Sequence, residues 1–351
     1  MAQAIVWIAL FTLLTLGMLW GMAALWFRLE LPSPWRQVTL GLWGLLTLGL
    51  VVLGLEDSVT AGRGWSAPFG QLLLLAVLMT WWFRLRPSHD RPWADDVVHL
   101  ATGNVAGNRL TLHHVRNFDW RTRDDATVSW ERRDYDLDRL DSVDMIVSSW
   151  GRPGIAHVMV SFGFGGDDFV VFSVEVRRQR GERFSEVGGF FRQYELAIVA
   201  SDERDAVRLR SNVRGEQVRL FRIAMPQHTM RSLLLAYVDE ANHLHDFPRF
   251  YNTITANCST LVFAMARRIG AGLPLDYRML ATDRLPEYAF RLGGLWSGHS
   301  LNELQGRGNI VERARTAHDD PLFSRRIRHG VPGWEAMPEQ EDRAGGCDSR
   351  H

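Results

Sequence analysis

Three long apolar runs near the N-terminus restrict the fold of this chain more than any other feature. Ala4–Phe27 and Gln37–Leu55 are long enough to cross a bilayer, which takes roughly 20 apolar residues, and Phe69–Phe83 is a shorter third run. The third run ends near Trp81 and Trp82, as is typical where a span reaches the membrane interface. No acidic or basic residue falls inside the runs, so we predict an anchor of about three transmembrane helices over residues 1–86, integral to the membrane, and not an ion pathway.

The arginines that flank these runs bear on the orientation of the chain. They are Arg28 and Arg36 after the first run, Arg63 after the second, and Arg84, Arg86 and Arg91 after the third. Arginine is enriched in short loops on the cytoplasmic side of a membrane. By itself, this distribution predicts that the C-terminal part of the chain lies in the cytoplasm.

The chain changes character after His89–Trp93, which has the composition of a linker. Apolar and alternating segments bounded by turn residues predict strands at Arg109–Val115, Asp141–Ser149, Ile155–Gly163, Phe169–Val176, Glu195–Ala200 and Gln217–Ile223. A helix is predicted from Pro226 to about His245, because proline is favoured at the first helical position. We therefore predict an α+β domain over residues 87–300, followed by a polar, flexible tail over residues 301–351.

Cys258 begins a segment with helical periodicity. The apolar positions that share one face are Leu261, Val262, Met265 and Ile269. Thr255 or Asn257 is expected to cap the start, and Gly270 to end the helix. Unpaired backbone N–H groups and the helix dipole favour a thiolate there, so Cys258 is a candidate nucleophile. The alternative is a buried packing residue, as free cysteines often are.

A predicted hairpin supplies a candidate base for this thiol. If its turn is centred near Gly166, cross-strand partners have numbers that sum to about 332, and His157 faces Glu175 on the same side of the sheet. A carboxylate opposite a histidine orients the imidazole and stabilises its cation. This predicts a catalytic pair; the alternative is a half-exposed ion pair.

Candidate substrate-binding residues lie near both elements. The arginines that follow the hairpin are Arg177, Arg178, Arg180 and Arg183, which form either a solvated strand end or a clamp for lipid phosphate. Of these, Arg177 is the substrate-binding candidate. Asn257 and Ser259, on either side of Cys258, are two more, although Asn257 alternatively caps a turn.

Composition excludes several classes of function. The formal net charge is zero, and every one of the 40 basic residues is arginine, with no basic patch interleaved with aromatic residues, so no nucleic-acid partner is expected. The two cysteines, Cys258 and Cys347, show no zinc-ligand spacing, and Cys347 lies in the polar tail. We expect neither a metal nor a cofactor.

Short motifs follow one another along the soluble part of the chain. They are Arg116-Asn117-Phe118, Asp134-Tyr135-Asp136-Leu137, Ile155-Ala156-His157 with Ser161-Phe162-Gly163-Phe164, Phe190-Phe191-Arg192-Gln193-Tyr194-Glu195-Leu196, Tyr251-Asn252 and Asn257-Cys258-Ser259-Thr260. Together they resemble the soluble domain of a bacterial membrane family, the Lnb N-terminal periplasmic domain, described after lipoprotein N-acyltransferases. The resemblance extends from about Arg91 to Gly293 and covers neither the apolar runs nor the tail.

This resemblance implies Cys258 as nucleophile and His157 as its base, whereas Glu175 as third catalytic residue rests on the register alone. It also implies a multi-pass protein of the bacterial inner membrane with a periplasmic soluble domain, against the arginine count. The implied reaction passes an acyl chain from a membrane phospholipid, through a Cys258 thioester, to a lipoprotein N-terminus. More distantly, a histidine strand before an Asn-Cys helix resembles the permuted papain-like (NlpC/P60-like) fold, with an antiparallel sheet and a nucleophile-bearing helix.

Two other functions stay open at this point. One is a membrane-tethered cysteine peptidase or amidase that acts on cell-wall peptide, which needs the same residues with water as the acceptor. The other is a non-enzymatic membrane module in which Cys258 is only a buried side chain.

Overall fold

The structure is a computed structural model that describes residues 2–59, 65–269, 273, 274, 276–279 and 281–334. It divides into two compact units. The anchor unit comprises residues 1–91, 182–195 and 248–253, and the soluble unit comprises residues 92–181, 196–247 and 254–351. The chain beyond residue 334, with Cys347, and the predicted helix end at Gly270 lie outside the described residues.

Apolar helices form most of the anchor unit, namely α1 (Ala2–Arg28), α2 (Ser33–Val59) and α3 (Ser66–Arg84). Each is long and apolar enough to cross a membrane, so the three predicted runs are helices and candidate spans. Small residues let membrane helices approach closely, and a Cβ at Gly21 would lie 2.6 Å from the side chains of both Trp43 and Leu78. Trp43 Nε1 also donates to the Met18 carbonyl oxygen at 3.0 Å, which joins α2 to α1.

The soluble unit is built on a mixed sheet of eight strands, with a separate two-stranded pair, β3 with β4. The strands are β1 (Thr102–Ala106), β2 (Arg109–Arg116), β3 (Asp119–Trp120), β4 (Ala126–Thr127), β5 (Trp130–Asp136), β6 (Ser142–Ser149), β7 (His157–Gly163), β8 (Phe169–Arg177), β9 (Glu195–Ser201) and β10 (Gln217–Arg222). Their order in the large sheet is β1-β2-β9-β8-β7-β6-β10, with β5 also paired to β2. All six predicted strands are present, and the α+β class is confirmed.

Helices pack on both faces of this sheet because successive side chains of a strand point to opposite faces. They are α5 (Glu203–Arg208), α6 (Gln227–Asp246), α7 (Cys258–Ile269), α8 (Leu285–Arg291), α9 (Leu301–Arg307), α10 (Val311–Thr316) and α11 (Phe323–Arg328); α4 (Glu186–Phe190) belongs to the anchor unit. In β6, Ile146 shares a core cluster with Phe323 of α11. Its neighbours Met145 and Val147 share the other cluster with Phe263 of α7.

Residues 301–334 are not a flexible tail, which corrects the expectation from composition. Phe323 and Ile327 are fully buried in the core. Arg328 is fully buried as well, and its guanidinium donates to Asp144 Oδ2 at 2.9 Å and to Glu203 Oε1 at 2.6 Å. A buried charge requires such partners, so a segment that looks polar in sequence is fixed to the sheet.

Candidate active site

Cys258 is the first residue of α7, as the sequence predicts. Asn257 caps this helix, since its Oδ1 accepts from the backbone N–H groups of Ser259 at 3.0 Å and Thr260 at 2.9 Å. Ser259 Oγ donates to the same oxygen at 2.9 Å. The structure therefore selects Asn257 as the cap over Thr255, and the cap fixes the first turn that carries the thiol.

His157 and Glu175 lie together at one end of β7 and β8. The observed pairs, such as Met159 with Ser173, have the predicted register. His157 Nε2 lies 3.1 Å from Glu175 Oε1 and 2.7 Å from Ser173 Oγ. Ser173 Oγ in turn donates to Glu175 Oε1 at 2.5 Å. Sequence reasoning missed Ser173, although its position two residues before Glu175 places it on the same face.

The Cys258 thiol completes this group. It is hydrogen-bonded to the His157 imidazole and to the backbone N–H of Val158. The contact occurs where the ladder between β7 and β8 ends, because the last pair on this side is Met159 with Ser173. The end of the hairpin and the start of α7 thus bring together residues at positions 157, 175 and 258.

Electrostatics at this site favour an ion pair between thiol and imidazole. Burial and the charge of Arg210 each act to lower the pKa of His157, but Glu175 and the hydrogen bond with the thiol outweigh them, so this pKa is raised. Burial acts to raise the pKa of Cys258, but the hydrogen bond and charge of His157 reverse the effect, so the thiol pKa is lowered. Burial also acts to raise the pKa of Glu175, yet His157 and Arg210 hold it well below its usual value.

Two further buried charges extend the network, and sequence reasoning missed both. Arg210 donates through Nη2 to Glu175 Oε1 at 3.2 Å and through Nη1 to Glu216 Oε2 at 3.3 Å. Ser148 Oγ donates to Glu216 Oε2 at 2.5 Å, and Ser148 is the cross-strand partner of His157. No local pattern marks Arg210 or Glu216, since both are far from the hairpin in sequence.

Tyr237 of α6 lies near the thiol. It is fully buried, and its ring packs against Phe162 and Phe172 with centroids 5.8 and 5.2 Å away. Among the residues that the structure describes, its hydroxyl has no hydrogen-bond partner. Burial, and then the charge of Cys258, raise the pKa of Tyr237, so the phenol stays neutral.

The three residues expected to bind substrate have other contacts in the structure. Asn257 and Ser259 bond to each other at the helix start. Arg177 is only 4 % exposed, and it donates through Nε and Nη2 to the carbonyl oxygens of Val97 and Val98 at 3.0 and 2.6 Å. These bonds hold the segment before β1 and give Arg177 a structural role. Its guanidinium is buried, whereas a clamp for lipid phosphate would have to be exposed.

The described residues contain no cluster of three or more His, Cys, Asp or Glu side chains that could hold a metal ion. His99 and His114 stack with ring centroids 4.7 Å apart, but they do not form such a cluster.

Residues from both units lie in a range that matches a known family model. The family model of the Lnb N-terminal periplasmic domain covers residues 126–283, a span that contains Cys258, His157 and Glu175. This match confirms the resemblance seen in the short motifs, over a shorter range. No curated protein and no solved structure matches the chain.

Proposed function

Because residues 126–283 match the family model of the Lnb N-terminal periplasmic domain, we propose that the protein is a membrane-anchored, cysteine-dependent acyltransferase. The observation that carries the proposal is the hydrogen-bonded set of Cys258, His157 and Glu175, with the thiol at a helix N-terminus. Cys258 is the nucleophile, His157 is the general base and Glu175 orients the imidazole.

The hydrogen bonds around His157 assign its tautomer. Ser173 Oγ gives its proton to Glu175, so this oxygen accepts from the Nε2–H of His157. With Nε2 as the donor, Nδ1 carries the lone pair, and we assign to Nδ1 the role of taking the thiol proton. Glu175 then stabilises the imidazolium that forms.

The reaction proceeds in two balanced steps. The Cys258 thiolate attacks an ester carbonyl, the C–S bond forms, the ester C–O bond breaks, and the leaving alkoxide takes the proton from His157. An amine then attacks the thioester, the C–N bond forms and the C–S bond breaks. The amine proton returns through His157, and the thiol is regenerated.

Negative charge on the carbonyl oxygen is stabilised at the start of α7. The N–H groups of Ser259 and Thr260 already donate to Asn257. We therefore assign the oxyanion to the backbone N–H of Cys258 and to the positive end of the helix dipole.

The anchor supports a lipid ester as donor. Three spans keep the domain at a surface where phospholipid is concentrated. The acceptor proposed is the N-terminus of a bacterial lipoprotein, which is what the resemblance to the Lnb family implies. The name of the matched domain supports a periplasmic soluble unit. We also propose a location in the bacterial inner membrane and a permuted papain-like arrangement, in which the histidine strand β7 precedes the cysteine helix α7.

The test is to detect the acyl-enzyme. Purified full-length protein is mixed with phospholipid vesicles, and the peptide that contains Cys258 is examined by mass spectrometry. We expect an added acyl mass that hydroxylamine removes. Cys258→Ser should lose it, and His157→Ala should slow its formation by roughly 10²–10⁴-fold, the usual contribution of general-base catalysis.

Cys347→Ser is the matched control, because Cys347 is the other cysteine of the chain, and it should acylate at the normal rate. Acylation that persists in Cys258→Ser contradicts the proposal. Cleavage of cell-wall peptide without an acyl adduct would identify a cysteine peptidase instead. Neither reaction, with a thiol that alkylates like a free model thiol, would identify a non-enzymatic module.

A further inference from the structure

We propose that residues 184–191 of the anchor unit, here the α4 segment, insert into the interfacial layer of the phospholipid bilayer beside the three spans. The segment lies within the matched family range but far from the apolar runs in sequence. Its role as a lipid-binding surface does not depend on the chemistry of Cys258.

The outer face of the α4 segment is apolar and exposed. Phe184, Val187 and Phe190 are 49 %, 54 % and 43 % exposed. Val187 and Phe190 are three residues apart in α4 and so share a helix face. Several large apolar side chains exposed within one short stretch are characteristic of a protein or membrane contact.

The inner face of the segment is fixed against α1. The Phe191 ring is stacked on Phe27 with centroids 5.5 Å apart and lies 6.0 Å from the ring of Trp20. The backbone of the segment is also close to α1, since a Cβ added at Gly188 would lie 3.3 Å from Phe27 Cδ1. Trp20 precedes the end of α1 by about two turns, or ~12 Å at 1.5 Å per residue. The α4 segment therefore lies alongside the last two turns of α1 and does not extend beyond its C-terminal end.

Arg192 fixes the same segment to α3. Its backbone has φ of 54°, a left-handed conformation that turns the chain back after Phe191. Its Nη1 donates to the carbonyl oxygen of Trp82 at 2.8 Å, in the last turn of α3, and its guanidinium lies 4.6 Å from the Trp82 ring. A cation at a helix C-terminus is favourably placed, so the position of the segment is held from two helices.

Phospholipid is the occupant that fits this surface. Exposed aromatic residues mark the same end of all three helices: Trp26 near the end of α1, Trp35 near the start of α2 and Phe83 near the end of α3, at 54 %, 64 % and 69 % exposure. Such a belt is typical of the membrane interface. The exposed face of the α4 segment lies at this level and continues the lipid-facing surface of the spans.

The test places a polarity-sensitive fluorophore on the segment. Val187→Cys and Phe190→Cys are each labelled with a nitrobenzoxadiazole probe in a full-length Cys258→Ser, Cys347→Ser background and reconstituted in phosphatidylcholine–phosphatidylglycerol vesicles. The matched control is Val128→Cys, because Val128 is 52 % exposed in the soluble unit. We expect blue-shifted emission and loss of most fluorescence to nitroxide-labelled lipid at positions 187 and 190, and neither effect at 128.

Other outcomes overturn the inference. Quenching of all three probes by aqueous iodide, with no quenching by the lipid nitroxide, would place the segment in water. Protection from both quenchers would show that protein covers the surface. Because the background lacks the thiol, these results are independent of whether the acyl-enzyme forms.

Discussion

At the scale of single residues, the pKa of the Cys258 thiol depends on His157. Burial raises the pKa of Cys258, and the hydrogen bond and charge of His157 reverse this, so the net shift is downwards. The thiolate forms above the lowered thiol pKa, and the imidazolium persists up to the raised pKa of His157. In a Cys347→Ser background, we expect alkylation of Cys258 by iodoacetamide to begin at a lower pH than for an ordinary thiol.

Removing the imidazole should shift the pKa of the Cys258 thiol in the opposite direction. In His157→Ala the burial of Cys258, which is the largest influence, and the negative charge of Glu175 still raise the thiol pKa, whereas the hydrogen bond from the Val158 backbone N–H still lowers it. The onset of alkylation should move above that of an ordinary thiol. His99→Ala is the control, since His99 stacks on His114 and takes no part in this network. Identical profiles for all three proteins would show that His157 does not act on the thiol.

At the scale of elements, the cap of α7 links helix stability to thiol chemistry. Asn257→Ala removes an acceptor shared by Ser259 and Thr260, which should cost about 1 kcal/mol of stability. Asn257→Asp keeps the acceptor but adds a negative charge beside Cys258. We expect the melting temperature in detergent to fall for Asn257→Ala and not for Asn257→Asp. In Asn257→Asp, we expect the onset of alkylation to move to higher pH. A normal melting temperature for Asn257→Ala would mean that the cap does not hold the helix.

At the scale of the whole molecule, the three candidate spans make the orientation in the membrane testable. If all three helices cross the bilayer, the chain after α3 lies on the opposite side from the start of α1. Two of the arginines that argue for the cytoplasm form ion pairs, Arg28 with Glu30 at 2.5 Å and Arg91 with Glu195 at 3.2 Å. Both arginines therefore also have a structural role within the anchor unit.

Reporter fusions decide the orientation. We expect alkaline phosphatase, which is active only after export, to be active when fused after residue 334. It should be inactive when fused between the second and third spans, and β-galactosidase should show the opposite pattern. Strong β-galactosidase activity from the fusion after residue 334 would place the soluble unit in the cytoplasm.

Local patterns in the sequence determined the elements and one part of the site. The apolar runs determined the spans, and the turn residues determined the register that places His157 opposite Glu175. Gly165 and Gly166 have φ of 77° and 71°, which glycine adopts readily, so the tight turn is encoded where it forms. The start of the helix at Cys258 was also predicted from neighbouring residues. All of these features depend on interactions between residues that are close in the chain.

Tertiary structure alone decided which distant residues meet. It brought Cys258 to His157, supplied Arg210 as a further partner of Glu175, and buried Arg328 in a segment whose composition resembles a tail. The physical reason is that a charged side chain is stable in the interior only beside a partner. That partner comes from another element, which no short stretch of sequence identifies.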